Sequence, residues 1–166
     1  MPLFDSLYNF AMWLARNREE AEDLVQETYA KALKGFSSFQ PGTNFRAWMF
    51  RILRNAFLNS RTGLRVLQTS ALELEAESPL MPITEQTPES ILLRQIDHDT
   101  LHRAIEELPM SFREVLLLRD VEELTYQEIA EAIAVPIGTV MSRLSRARRM
   151  LKEILQSRGR ESKHAV

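Results

Sequence analysis

The 166-residue chain contains no cysteine. No disulfide framework and no thiolate metal site can form within it, and thiol catalysis and redox sensing are excluded on the same ground. Histidine is scarce, at three residues. There is no glycine-rich phosphate loop and no Ser, His and Asp set in a clear context, so an enzyme is not expected. His98 and His102 stand at i and i+4, but only Asp97 or Asp99 is near enough to be a further ligand. The pair therefore reads as a solvated polar face, and neither a metal nor another cofactor is expected. Apolar runs are also short: none approaches the roughly 18 residues that a bilayer span needs. The opening Met1-Pro2-Leu3-Phe4-Asp5 lacks a basic leader followed by an apolar stretch. The expectation is a cytoplasmic protein with no membrane insertion.

A 45% hydrophobic and 27% charged composition supports one moderate core or two small ones. Apolar periodicity near 3.6 recurs in several blocks and no sustained period-2 pattern occurs, which predicts an all-α fold. One helix is expected over residues 3–16. A second follows Asn17, with Glu20 as its capping-box partner, and runs to about Lys34 before Gly35. A third runs from Thr43 or Asn44 to about Arg61, and these three share a core. Residues 63–88 then break the pattern with Pro79, Pro82 and Pro88 and with Glu73, Glu75 and Glu77, the signature of a linker. Leu72, Leu74, Leu80, Met81 and Ile83 make it less polar than an inert spacer, so a groove-bound segment and a floppy tether are both open readings. The expected organisation is two small helical domains, 1–62 and 89–166, joined by a flexible linker.

In the second domain a helix is predicted over residues 89–108, ending before Pro109. Ser111-Phe112-Arg113-Glu114 reads as a capping box for a helix through Asp120, and Thr125-Tyr126-Gln127-Glu128 as a second box for a helix through Ala132. Val115, Leu116, Leu118, Ile129, Ala130, Ile133, Val140, Leu144, Ala147 and Leu151 supply a four-helix core. The last two helices, joined by a tight turn near Pro136, have the layout of a helix-turn-helix. In the final helix Val140, Leu144, Ala147, Leu151 and Ile154 fall on one stripe. Thr139, Met141, Ser142, Ser145, Arg146 and Arg149 lie off it, with Arg143 and Arg148 flanking. Gly138 in the first turn costs up to ~1 kcal/mol of helix propensity, tolerable where the backbone must approach another surface closely.

The net charge of -2 conceals a segregation. Residues 1–62 hold 8 Lys/Arg and 6 Asp/Glu (net +2), residues 63–136 hold 5 and 15 (net -10), and residues 137–166 hold 8 and 2 (net +6). The basic ends suit nucleic acid. In the third helix Phe45, Arg46, Trp48, Phe50, Arg51, Arg54, Asn55 and Phe57 alternate basic with aromatic character. Arg51, Arg54 and Asn55 are expected on one face, where guanidinium groups hold phosphates and an amide reads a base edge. Trp48 and Phe57, taken alone, read as core residues.

Four blocks together resemble bacterial RNA polymerase sigma factors of the extracytoplasmic-function (ECF) type, in the sigma-70 family. They are Ala21-Glu22-Asp23-Leu24-Val25-Gln26-Glu27-Thr28-Tyr29, the run from Asn44 to Asn55, the segment from Leu108-Pro109 to Leu118, and Thr125 through Leu151. The resemblance implies binding to core RNA polymerase and to promoter DNA, without catalysis by the factor itself. It implies that Asp23, Gln26 and Glu27 dock on the clamp helices of the largest polymerase subunit, with further contact to the beta subunit. Phe39, Gln40, Asn44, Phe45, Arg46, Trp48, Arg51, Arg54, Asn55 and Asn59 are then candidates for the -10 element, including a pocket for a flipped base. Thr125, Thr139, Met141, Ser142, Arg143, Ser145, Arg146 and Arg149 are candidates for the -35 element. Many relatives carry Lys or Arg where this chain has Met141, so base choice there rests on apolar contact or DNA shape. Control by an anti-sigma partner is implied as well, and the Pro41-Gly42-Thr43-Asn44 loop and the segment from Pro136 to Met141 resemble a branch in which that partner contains zinc. The acidic middle also suggests that linker glutamates mask the DNA surfaces. The rival reading is an autonomous helix-turn-helix regulator bound to an operator, usually as a dimer, although dimerising heptads are not evident.

Overall fold

The computed structural model describes residues 2–60 and 97–164, and every regular element among them is helical. Helix α1 (Pro2–Ala15) is followed by α2 (Arg18–Gly35), a 3-10 turn (Phe36–Ser38) and α3 (Phe45–Asn59). The second half consists of α4 (His98–Glu106), α5 (Met110–Leu116), a π turn (Leu117–Val121), α6 (Tyr126–Ile133) and α7 (Ile137–His164). The expected linker over 63–88, with its glutamates and apolar residues, lies outside the described residues.

The first three helices share the predicted core. Leu7, Phe10, Ala11 and Leu14 of α1 meet Ala21, Leu24 and Val25 of α2 and Met49, Phe50, Leu53 and Phe57 of α3, all buried. Phe10 and Phe50 pack edge to face with ring centroids 5.3 Å apart. Between α1 and α2 the chain reverses through Arg16 at φ 56. The side chain of the following Asn17 accepts a hydrogen bond from the Glu20 amide at 3.2 Å, which is one arm of the predicted capping box. Such a cap contributes about 1 kcal/mol, against roughly 1–2 kcal/mol for a left-handed residue bearing a Cβ.

In the second half all ten predicted core residues are buried. The Thr125 box is complete: the Glu128 amide donates to Thr125 Oγ1 at 3.1 Å, and the Thr125 amide donates to Glu128 Oε2 at 2.8 Å. The Ser111 box does not form. Pro109, at φ -53, takes the N-cap position and starts α5 two residues early, so Ser111 sits inside the helix, buried and with its hydroxyl unpartnered. Glu114 turns away from the helix start altogether. The predicted helix over 89–108 is also corrected, because Asp97 is non-helical (ψ 136) and α4 begins at His98. The stretch preceding Asp97 lies outside the described residues. Near Asp120 the α-helix gives way to the π turn, in which the Glu122 amide reaches back to the Leu117 carbonyl at 3.0 Å.

All seven residues of α5 are buried, because this helix is the strut between the halves. Its Arg113 donates to the carbonyls of Ile105 (3.2 Å), Glu106 and Leu108 (2.8 Å), at the C-terminal end of α4 and just beyond it. It also donates to the Trp13 carbonyl of α1 at 3.2 Å. Burial, helped by the Arg16 charge and opposed by Glu106, lowers the Arg113 pKa to about 10, which leaves it cationic at neutral pH. The neighbouring Glu114 reaches the other side of the first half, where it accepts two hydrogen bonds from Arg54 of α3, at 2.7 and 3.2 Å. Helix α3 packs on α6.

Candidate nucleic-acid interface

The helix-turn-helix is built from α6 and α7. Helix α6 ends on Ala134 in the left-handed region (φ 55, ψ 48), and both Ala134 and Val135 amides return to the Ala130 carbonyl. Pro136 then opens α7, its carbonyl accepting from Thr139 and Val140 at 3.0 and 3.2 Å. The stripe Val140, Leu144, Ala147 and Leu151 is buried against the core. It continues through Leu155 rather than Ile154, which is half-buried. Of the predicted -35 residues, Arg149 and Thr125 are exposed, and Thr139, Met141, Ser142, Arg143, Ser145 and Arg146 are half-buried. The Ser142 hydroxyl donates to the Thr139 carbonyl at 3.1 Å, and the Thr125 hydroxyl is occupied by the cap. A Cβ built on Gly138 meets nothing within 4 Å, so packing within the chain does not require glycine there.

A clamp that the sequence did not disclose sets the orientation of α7. Arg148 binds Asp120 bidentately at 2.6 and 3.2 Å, and this pairing raises its pKa. Arg119 lies 4.8 Å over the Tyr126 ring and donates to the Leu124 carbonyl at 3.0 Å. Both contacts depend on the π turn, which presents Asp120 toward α7. No local spacing signals such a turn.

The second cluster of candidates lies at the head of α3. Asn44 caps the helix, accepting from the amides of Arg46 (2.9 Å) and Ala47 (3.4 Å). Before it, Gly42 at φ 91 and the Thr43 hydroxyl bonded to the Gln40 carbonyl (2.7 Å) shape the loop. Phe39 is in contact with Phe45 and Trp48, with centroids 5.4 and 5.2 Å away, and stacks with Phe36 at 6.1 Å. Phe36, 61% exposed, belongs to this aromatic surface, although sequence reasoning singled out only Phe39, Phe45 and Trp48 of it. Gln40, Asn44, Phe45, Arg46, Arg51, Asn55 and Asn59 are exposed, and Trp48 is half-buried. Arg54 departs from the expected shared face. It is 8% exposed and points into the seam toward Glu114, leaving Arg51 and Asn55 on the open side. Arg46 also crosses the seam, to Glu122 at the end of the π turn.

On α2 the side chains of Asp23, Gln26 and Glu27 are exposed, with Glu27 paired to Lys31 at 2.7 Å. His102 packs on Trp13 with ring centroids 4.3 Å apart and the planes tilted by 31°, and no three His, Cys, Asp or Glu side chains gather as a metal site among the described residues. Among those residues no helix is long and apolar enough to cross a membrane.

Two family profiles match this arrangement: Sigma-70 region 2 over residues 3–65, and Sigma-70, region 4 over residues 98–151. The chain belongs to the sigma-70 family, among its ECF sigma factors. The sigma factor is 34% identical over 163 residues to the ECF RNA polymerase sigma factor SigE of Mycolicibacterium smegmatis, covering 95% of this chain and 60% of that protein. It is 33% identical over 173 residues to the ECF sigma factor EcfG of Rhodopseudomonas palustris, covering 97% of this chain and 91% of that one. In structure it resembles the Bartonella quintana sigma factor RpoE, solved in complex with the anti-sigma factor NepR. The TM-score is 0.67 at 30% identity, covering 93% of this chain and 92% of that chain.

Proposed function

We propose that this sigma factor binds core RNA polymerase in the cytoplasm and directs initiation by gripping two promoter elements with its two halves. Residues 1–62 form the unit for polymerase and the -10 element, and residues 89–166 the unit for the -35 element. The observation that carries the reading is the presence, in one chain, of a capped helix-turn-helix and an exposed aromatic and amide surface at the head of α3. Helix α7 enters the major groove, with Met141, Ser142, Ser145 and Arg146 toward base edges and Thr125, Thr139, Arg143 and Arg149 nearer phosphates. Phe36, Phe39, Phe45 and Trp48 offer stacking worth about 1–3 kcal/mol per base, enough to offset the few kcal/mol of unstacking one. Gln40, Asn55 and Asn59 supply amides for base edges. Asp23, Gln26 and Glu27 face the clamp helices of the largest polymerase subunit, and the beta subunit meets the second half. Likeness to RpoE, solved with NepR, supports control by an anti-sigma protein.

Run-off transcription with core polymerase tests the reading. Promoter-dependent initiation is the expected result on a template that core enzyme alone does not use. A chain that only blocks transcription would be an operator-binding regulator instead. Reversing the charge of Asp23 and Glu27 is expected to impair association with core while DNA binding by the second half persists.

A further inference from the structure

We propose that Glu114 and Glu122 act as built-in phosphate mimics, closing the molecule by occupying the guanidinium groups that α3 would otherwise offer to promoter DNA. The inference rests on the reading of α3 as the -10 surface, and it goes beyond that reading by giving the free protein a state closed to DNA. Both guanidiniums come from α3, and both carboxylates come from α5 and the end of the π turn. Arg54 with Glu114 is a two-point pair, the fork geometry with which arginine also holds a phosphate. Arg46 with Glu122 is the second pair, and Glu122 is itself 7% exposed. A carboxylate that is merely solvating a surface has no reason to be buried; these two are buried against cations of the other half. Adjacent to Glu114, Arg113 holds the Trp13 carbonyl of α1, so two consecutive side chains of one helix grip the first half at two points.

The contacts have a direct consequence for binding. A guanidinium whose fork is filled by a carboxylate cannot hold a phosphate at the same time, so opening the seam and binding DNA through α3 are linked. Helix α7 donates no side chain to either pair, so its access to duplex is less affected by the seam. The first half, in contrast, keeps its exposed aromatic and amide surface but lacks these two guanidinium groups for the strand's phosphates until the seam opens, so it binds single strands more weakly.

The full-length chain carrying Glu114→Gln and Glu122→Gln tests this, because both substitutions remove charge while keeping shape. Small-angle X-ray scattering reads the radius of gyration, and anisotropy of a labelled random-sequence single-stranded DNA at low salt reads binding. The expected result is an increase of several Å in radius and about tenfold tighter single-strand binding, with a smaller change for random-sequence duplex. The reversed pair, Arg54→Glu with Glu114→Arg in the otherwise unchanged chain, is expected to keep the radius at the wild-type value and single-strand binding no tighter than in the wild type. If the double variant loses its helical circular dichroism, Glu122→Gln alone carries the test, with about threefold tighter binding expected. An unchanged radius and unchanged affinity overturn the proposal. A larger radius with no gain in single-strand binding also overturns it, since the contact would then be real but not competitive. Neither result bears on run-off transcription, which tests the sigma reading separately.

Discussion

Helices α3 and α7 both carry arginines at the spacing of a DNA-binding helix, yet they use them differently. In α3, Arg54 and Arg46 are engaged by glutamates of the opposite half. In α7, Arg148 pairs with Asp120 and Arg158 with Glu107, both partners belonging to the same half, while Arg146 and Arg149 have no carboxylate partner among the described residues. One helix thus spends charge on joining two halves, and the other on fixing its own orientation. The difference also separates two energetic regimes. Glu114 is fully buried with Arg54, whereas Arg148 and Asp120 are each 38% exposed. A buried pair is costly to break from one side, and a half-exposed pair contributes little to stability.

The most severe way to break the comparison is Glu114→Ala. It strands the Arg54 cation in the seam and is expected to cost about 3–5 kcal/mol in urea unfolding. Replacing both partners by apolar residues, Arg54→Met with Glu114→Leu, is expected to be far milder, because no uncompensated charge remains. A loss as large as that of the single variant would refute that explanation. Next in size is Arg146→Ala, expected to weaken -35 duplex binding by about 1–3 kcal/mol while leaving the urea midpoint in place. A footprint unaltered by this change would remove Arg146 from the reading surface. Smaller still is Asp120→Ala: the half-exposed pair it breaks is worth about 0.2–1 kcal/mol to stability. Its larger signature is expected in DNA affinity, since Arg148 loses the anchor that orients α7. If stability falls as far as with Glu114→Ala, the two pairs do not differ in kind.

What the sequence disclosed follows the range over which each feature is encoded. The ten core positions of the second half and the Thr125 cap were legible because their determinants lie within one helical turn of each other. The Ser111 box carries the same Ser-x-x-Glu pattern, but its fate was decided by Pro109, which moved the helix start and left Glu114 for a cation 60 positions away. Arg54 was legible as a basic residue on a candidate face, and only the packing of α5 reveals that this part of α3 is interior. The Arg148 clamp was hidden for a similar reason, since it needs a π turn that no spacing announces. Of the site residues, those at the loop before α3 and along α7 stand where periodicity puts them, whereas Arg54 and Arg46 required contacts between the halves.

The gentlest probe of the comparison uses two left-handed residues, Ala134 in the turn before α7 and Arg16 in the turn after α1, at φ 55 and 56. A Cβ in this conformation costs about 1–2 kcal/mol, and glycine returns that strain while giving back about 0.4–1 kcal/mol through the looser unfolded chain. Ala134→Gly is therefore expected to stabilise the second half by about 0.5 kcal/mol. Arg16→Gly relieves the same strain, but the Arg16 guanidinium also donates to the Glu106 carbonyl across the seam, and glycine cannot replace that contact. An exposed hydrogen bond of this kind contributes about 0.5–1.5 kcal/mol, so the gain is expected to vanish or reverse. Equal stabilisation by the two glycines in urea unfolding would mean that Arg16 does no work at the seam, and that the two turns differ in sequence alone.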